Sequence, residues 1–273
     1  MDILEIIKEP TKMYYTNGSN PLLVTCSDLN EWVCKYDKFP RYLFNELIGS
    51  EFARIWNINT PEICKIIVDL KYIPFDKYPQ LTPNHFSKEC FGSKLIEGSE
   101  DVNDTLLSSF KDKNYRSKIL NKSDLLKIAL FDIWLCNDDR NFGNNNLLIK
   151  TDDDFKKHFF VIDHTTLFNS SHLERQLAEL TEDDSILNTD MAKILLGNLK
   201  KLTKIVDNLV DSFYLCTKIC EDNLDEILAK TPHSWLIDIP HIKDRMTTEL
   251  FSEEWKNKCE INFRTLVQTL IIN

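Results

Sequence analysis

The sequence predicts an α+β fold of two lobes, a small β-rich one over residues 1–95 and a larger, mainly helical one over residues 96–273. Three observations predict it. Short β-rich runs punctuated by turn clusters occupy much of the first eighty residues. A stretch from Pro74 to about Val102, rich in Pro, Asn, Ser and Gly, reads as a connection between lobes. Beyond it helical periodicity dominates, interrupted by one hairpin.

Taken in order, Asp2 is placed to cap a short helix through Lys8, and Lys12-Met-Tyr-Tyr15 reads as a strand. Thr16-Asn-Gly-Ser-Asn20 is a turn cluster. Pro21–Cys26 and Glu31–Tyr36 are β-rich runs separated by the mostly polar Ser27-Asp-Leu-Asn30, a hairpin pattern. Pro40 opens a helix whose apolar face is Leu43, Phe44, Leu47, Ile48 and Phe52. Ile63–Asp69 is a further strand, and Cys90-Phe-Gly-Ser-Lys94 falls inside the connection. Ser123 precedes a run to Cys136 that is apolar nearly all round, the mark of a helix deep in a core. Leu147–Ile149 and Phe159–Ile162 form the hairpin across the polar turn Thr151–Lys157, and amphipathic helices follow over 191–215, 219–230 and 249–270.

Composition narrows the function classes. The chain has 273 residues, 42% of them hydrophobic, with 16 Phe and five Trp, so a sizeable core is available. No stretch reaches the roughly eighteen uncharged apolar residues of a membrane helix. The acidic Met1-Asp-Ile-Leu-Glu start lacks the basic region of a signal peptide. Both features point to a cytoplasmic address. A net charge of -10 without a basic stripe disfavours nucleic acid, and Lys200-Lys201-Leu-Thr-Lys204 reads as the solvated face of a helix. The eight cysteines contain no C-x2-C pair, so they read as buried or incidental reduced thiols rather than zinc ligands or disulfides.

The densest polar constellation is Asn137-Asp-Asp-Arg-Asn-Phe-Gly-Asn-Asn-Asn-Leu-Leu148, between the buried helix and the hairpin. Within it Asp139 and Asn144 have the D-x4-N spacing of a phosphoryl-transfer loop. There the aspartate accepts or orients a hydroxyl proton, and the asparagine carbonyl holds magnesium. Asp163 follows the second hairpin strand directly and can ligate the same kind of ion. Because the hairpin strands pair, the loop before the first and the turn after the second finish at one end, so Asp139, Asn144 and Asp163 can converge. Upstream, Lys35 lies on a strand and Glu46 on the next helix, a pairing that can bind the phosphates of ATP. Glu51 is the alternative partner. Gly18 and Ser19 sit in the turn that could lie over those phosphates, though a single glycine suits a plain hairpin turn equally well. Arg140 reads as an exposed arginine beside an acidic neighbour, or as an electrostatic brace for the loop. Asn146 is either a second polar ligand or the first strand residue, and His164 has no assigned role.

The pattern Asn137-x-Asp139-Arg140-x3-Asn144-x-Asn146-Leu-Leu148, followed by Ile162-Asp163-His164, resembles the HipA-like kinases, in particular their short single-domain branch. Asn45-Glu-Leu-Ile-Gly49, Pro61 and Cys90-Phe-Gly-Ser-Lys94 resemble that branch as well. The resemblance runs from about Met13 to Phe168, and it departs at Asn141, where the branch usually has His. It implies a bilobal protein-kinase-like fold, use of ATP and Mg2+, and phosphorylation of Ser or Thr on a protein substrate. It also implies membership of a toxin–antitoxin module with a cognate antitoxin, and self-phosphorylation at Ser19. Two other readings stand beside it: a kinase for a small molecule or lipid, and a non-catalytic module that binds nucleotide or a partner protein.

Overall fold

The computed structural model describes residues 1–16, 19–170, 173–197 and 199–272, with the Asp104 side chain left aside. A β-sheet lobe sits against a helical lobe. The first sheet takes β1 (Ile3–Glu5), β2 (Lys12–Met13), β3 (Leu22–Thr25), β4 (Glu31–Lys35), β5 (Ile63–Ile67) and β6 (Cys90–Lys94), in the order β1-β5-β6-β4-β3-β2. Two segments differ from expectation. The segment after Asp2 is not helical: Ile3–Glu5 instead pairs in parallel with β5, Ile3 opposite Lys65, because a sheet edge satisfies more of its backbone than one isolated turn would. Cys90–Lys94 is a central strand between β4 and β5, with Gly92 opposite both Cys34 and Cys64. A Cβ at Gly92 would meet Cys64 Sγ at 2.5 Å and Ile66 Cδ1 at 2.7 Å, so the glycine that looked like a linker signal is there for close packing.

Between β4 and β5 runs α1 (Arg41–Ile55), opened by Pro40 as its sequence suggests. It is buried on nearly every side, Asn45, Glu46, Ser50 and Glu51 included. Its apolar residues belong to the core of the helical lobe rather than to the smaller core of the sheet. Phe52 and Trp56 pack on Trp134, the latter stacked at 5.5 Å between ring centroids, and Glu51 pairs with Lys230 at 2.9 Å. The helix carrying Glu46 is thereby anchored to the other lobe.

The helical lobe contains α2 (Asp104–Lys111), α3 (Lys113–Lys118) and the buried α4 (Asp124–Leu135). Ser123 is already helical in φ and ψ and makes no capping bond. Strands β7 (Ser99–Asp101), β8 (Leu147–Thr151) and β9 (Lys157–Val161) form the second sheet, with Leu147 opposite Val161. The C-terminal part holds α5 (Asp190–Leu196), α6 (Leu202–Asp222), α7 (Leu224–Leu228), α8 (Ile239–Arg245) and α9 (Glu253–Val267). The helix expected over 191–215 is divided where Lys201 takes φ +60°, and α6 continues to Asp222 through the expected gap. All eight cysteines are free thiols, and all but Cys216 are buried. Among the described residues no helix is long and apolar enough to cross a membrane.

Candidate active site

A cleft of about 910 Å3 lies between the lobes, lined among others by Thr16, Ser19, Lys35, Asp139, Asn144 and Asp163. The sheet supplies Lys35 at the end of β4, where its Nζ pairs with Glu46 Oε1 of α1 and lies 3.2 Å from Asp163 Oδ1. Glu46, not Glu51, is therefore the lysine's helix partner, since Glu51 turns to Arg54 and Lys230. Burial works against the Lys35 charge, but Asp163 and then Glu46 hold the ammonium above the ordinary lysine range. Burial pushes the Glu46 carboxyl up to about 7, with Lys35 pulling the other way and Asp163 adding to the rise. At Asp163 burial would also raise the carboxyl. Lys35, then Thr165, whose hydroxyl donates to Oδ1 at 2.7 Å, hold it instead below the usual carboxylate range.

The opposite wall grows out of α4. Cys136 adopts φ +51° and ends the helix, with the Asn137 N–H turning back to the Asp132 carbonyl at 2.9 Å. The chain then enters the loop at the cleft. Asp139 Oδ2 accepts from Asn144 Nδ2 at 2.8 Å and from Asn146 Nδ2 at 3.0 Å, so both asparagines converge on one carboxylate. Asn141 shapes the loop: its Nδ2 donates to the Asp138 carbonyl at 2.8 Å and its Oδ1 accepts from the Gly143 N–H at 2.8 Å. Backbone bonds in both directions between Asn141 and Asn144 close the turn.

Loop and hairpin end meet as the strand pairing requires. The Ile162 N–H donates to the Asn146 carbonyl at 3.1 Å, and Asp163 then takes φ +58°, turning its side chain toward Lys35. Arg140 is fully buried rather than exposed. Its Nη2 donates to the Ile162 carbonyl at 3.1 Å, and its Nε lies 3.5 Å from Asp132 Oδ2. Asn137 is buried there too, donating to Asp132 Oδ1 at 2.8 Å and accepting from the Thr166 hydroxyl at 2.9 Å. His164 is buried under α1, where burial, with Arg140 and Lys35 beside it, keeps the imidazole neutral.

Of the residues singled out in the sequence, Ser19, Lys35, Asp139, Asn144 and Asp163 line the same cleft, with Glu46 behind Lys35. Gly18 lies outside the described residues. Asn45 escaped notice as a site residue, although its Nδ2 donates to the Thr165 carbonyl at 2.8 Å. Its signal in the sequence was its place at the head of Asn45-Glu-Leu-Ile-Gly49, a segment that resembles the family without marking the asparagine as a site residue. The oxygen-rich donor set, two carboxylates and an amide, fits a hard divalent cation. Among the described residues no group of three or more His, Cys, Asp or Glu could hold a metal ion.

A sheet lobe, an anchored helix and a helical lobe closing around such a cleft make this a protein of the kinase class, and comparison with known proteins agrees. The chain belongs to the HipA-like kinase family, which it matches over residues 3–260. Among solved structures it is similar to the Helicobacter pylori proinflammatory kinase CtkA, with TM-score 0.59 and 16% identity over 97% of each chain. It also matches the Golgi casein kinase with Mn/ADP bound (TM-score 0.47, 11% identity, 99% of this chain and 75% of that one). A third match is Shewanella oneidensis MR-1 HipA, in its complex with HipB and operator DNA (TM-score 0.47, 13% identity, 94% and 66%). The likeness to CtkA supports the fold alone. No curated protein matches the sequence.

Proposed function

We propose that the protein is an ATP- and magnesium-dependent serine/threonine kinase acting on a protein substrate. The observation that carries the reading is the meeting of Lys35, backed by Glu46, with Asp163 in the cleft that Asp139 also lines. In this reading the Lys35 ammonium binds phosphate oxygens and Glu46 fixes its direction. Asp163 and the amide oxygen of Asn144 would hold magnesium, which supplies charge neutralisation at the phosphates. Asp139, its carboxylate oriented by Asn144 and Asn146, receives or directs the proton of the acceptor hydroxyl. The neighbouring cavity of about 520 Å3, which shares Tyr42 with the cleft, supports an extended acceptor over a small enclosed one.

Ser19 lines the cleft and is the proposed site of self-phosphorylation. A cytoplasmic toxin–antitoxin setting, with a cognate antitoxin as partner, is the regulatory context that family membership suggests. Radiolabelled ATP tests the reading. Wild type should bind ATP only with magnesium and label itself or an added protein, and Asp163→Asn should lose both. Wild type that ignores ATP and magnesium would reduce the cleft to a partner-binding surface, while labelling of small molecules alone would favour the small-molecule alternative.

A further inference from the structure

A second pocket, of about 400 Å3, lies in the helical lobe and shares no lining residue with the cleft. Its apolar side is built by Ile194 and Leu195 of α5 and by Leu199, three positions past the helix end, with Leu195 buried and Ile194 and Leu199 half-buried. Its other wall is cationic: Lys113 and Arg116 of α3, and Lys122 just before α4. Leu199 leads directly into Lys200 and Lys201, both exposed, and Lys204 follows on the first turn of α6. The basic segment read from sequence as one solvated helix face is thus mostly a turn at the margin of a pocket.

The charges here are concentrated. The chain as a whole is acidic, at -10, and elsewhere on the helical lobe the cations are scattered, Lys218, Lys243, Lys258 and Arg264 each paired with a carboxylate and Lys150 and Lys156 standing apart from one another in sequence. Lys113, Arg116, Lys122, Lys200, Lys201 and Lys204 form no ion pair among the described residues. Arg116 uses Nη1 on the carbonyls of Phe110 and Lys111, which fixes it at the pocket while leaving its charge uncompensated. Asp112, the acidic residue nearest in sequence, is turned to the Asn114 N–H as the cap of α3. Concentrated cations without acidic partners raise the local concentration of anions and favour an oppositely charged surface.

We propose that this pocket docks an acidic protein segment carrying an apolar anchor residue. The recessed apolar floor decides among anionic partners. A phosphodiester backbone has no apolar side chain to bury on Leu195 and Leu199. A bilayer is engaged by apolar side chains that protrude, whereas these line a concavity. A peptide with one leucine-sized side chain flanked by carboxylates satisfies both walls, the anchor burying apolar area and the acids meeting the rim. The site is independent of phosphate transfer and stands or falls separately from it.

The test is fluorescence anisotropy of the full chain with a labelled peptide in which one leucine is flanked by glutamates. Alongside it run the same peptide with serine for leucine, phosphatidylserine-containing vesicles and a DNA duplex. Binding of the leucine peptide should weaken as ionic strength rises. It should fall about tenfold or more in Lys113→Glu/Lys122→Glu, and by a similar factor with the serine peptide. A charge-matched control, Lys8→Glu/Lys156→Glu, should bind as wild type, and circular dichroism checks that both doubles fold. Equal binding by both doubles, no binding by wild type, or Lys113-dependent binding of vesicles or DNA in place of the peptide would each overturn the proposal.

Discussion

Arg140, without solvent exposure, donates from Nη2 to the carbonyl oxygen of Ile162 at 3.1 Å, so the residue after Asp139 holds the residue before Asp163. The two walls of the helical side of the cleft are thereby one unit, closed beneath by Asp132, which faces Arg140 and accepts from Asn137. Replacing Arg140 with Met leaves Asp132 buried without its cation, a change that costs about 3–5 kcal/mol. Arg140→Met is expected to lower the free energy of unfolding, read from denaturant melts, by that margin and to abolish phosphate transfer. A variant that melts like wild type would mean the guanidinium is dispensable to the loop.

The same cluster predicts a pH effect. Burial pushes Asp132 from 3.8 to about 6, against the pull of Arg140 and then Asn137. A carboxyl raised in the folded state binds its proton more tightly there than in the unfolded chain. Its contribution to stability is therefore full below 3.8 and is lost as the pH rises through about 6. Relative to Asp132→Asn, wild type should become progressively less stable across that window and then level off. Melting curves of both proteins over the range provide the check, and wild type gaining stability relative to Asp132→Asn as the pH rises would reverse the assignment.

What was legible in the sequence follows from how local each signal is. The D-x4-N spacing, the terminal Asp163 and the strand lysine with its helix glutamate are short-range patterns, and a hairpin's pairing carries the first two together. The parallel pairing of β1 with β5 and the central place of β6 are long-range, and Ile3–Glu5 holds no internal sign of its partner. For Arg140 the sequence leaves open an exposed arginine or a brace for the loop; only the tertiary meeting with Ile162 and Asp132 buries it and decides for the brace. Asn141, which departs from the family pattern, is the clearest case of local chemistry recovered differently. Its amide spans Asp138 and Gly143 at the position where the family branch usually has His.

Gly49 of α1 is the floor on which His164 rests. A Cβ there would come within 2.4 Å of the His164 Cγ and 2.5 Å of its Cβ, far inside contact distance. The imidazole has little room to retreat, since it lies against Phe131 at 6.2 Å between ring centroids. Gly49→Ala is expected to destabilise by about 1–3 kcal/mol despite alanine's better helix propensity. Because His164 follows Asp163, phosphate transfer should fall as well. A stabilised Gly49→Ala protein with full activity would show that the histidine moves without consequence.

Asn45 connects the anchored helix to the Asp163 side of the cleft. Its Nδ2 donates to the Thr165 carbonyl at 2.8 Å, while Thr165 donates its own hydroxyl to Asp163 Oδ1 at 2.7 Å. One residue further along α1, Glu46 holds Lys35, so consecutive residues steer the lysine and the aspartate that it meets. Asn45→Leu keeps the branched outline of the side chain and raises helix propensity, but leaves the Thr165 carbonyl without this donor, a loss of about 1–3 kcal/mol for a buried group. If Asp163 ligates magnesium, the looser Thr165 should weaken metal use before it affects anything else. The concentration of magnesium giving half-maximal labelling should rise several-fold, and saturating magnesium should restore most of the rate. Loss of rate that no magnesium concentration repairs would place the role of Asn45 in the fold of the cleft rather than in the aim of Asp163.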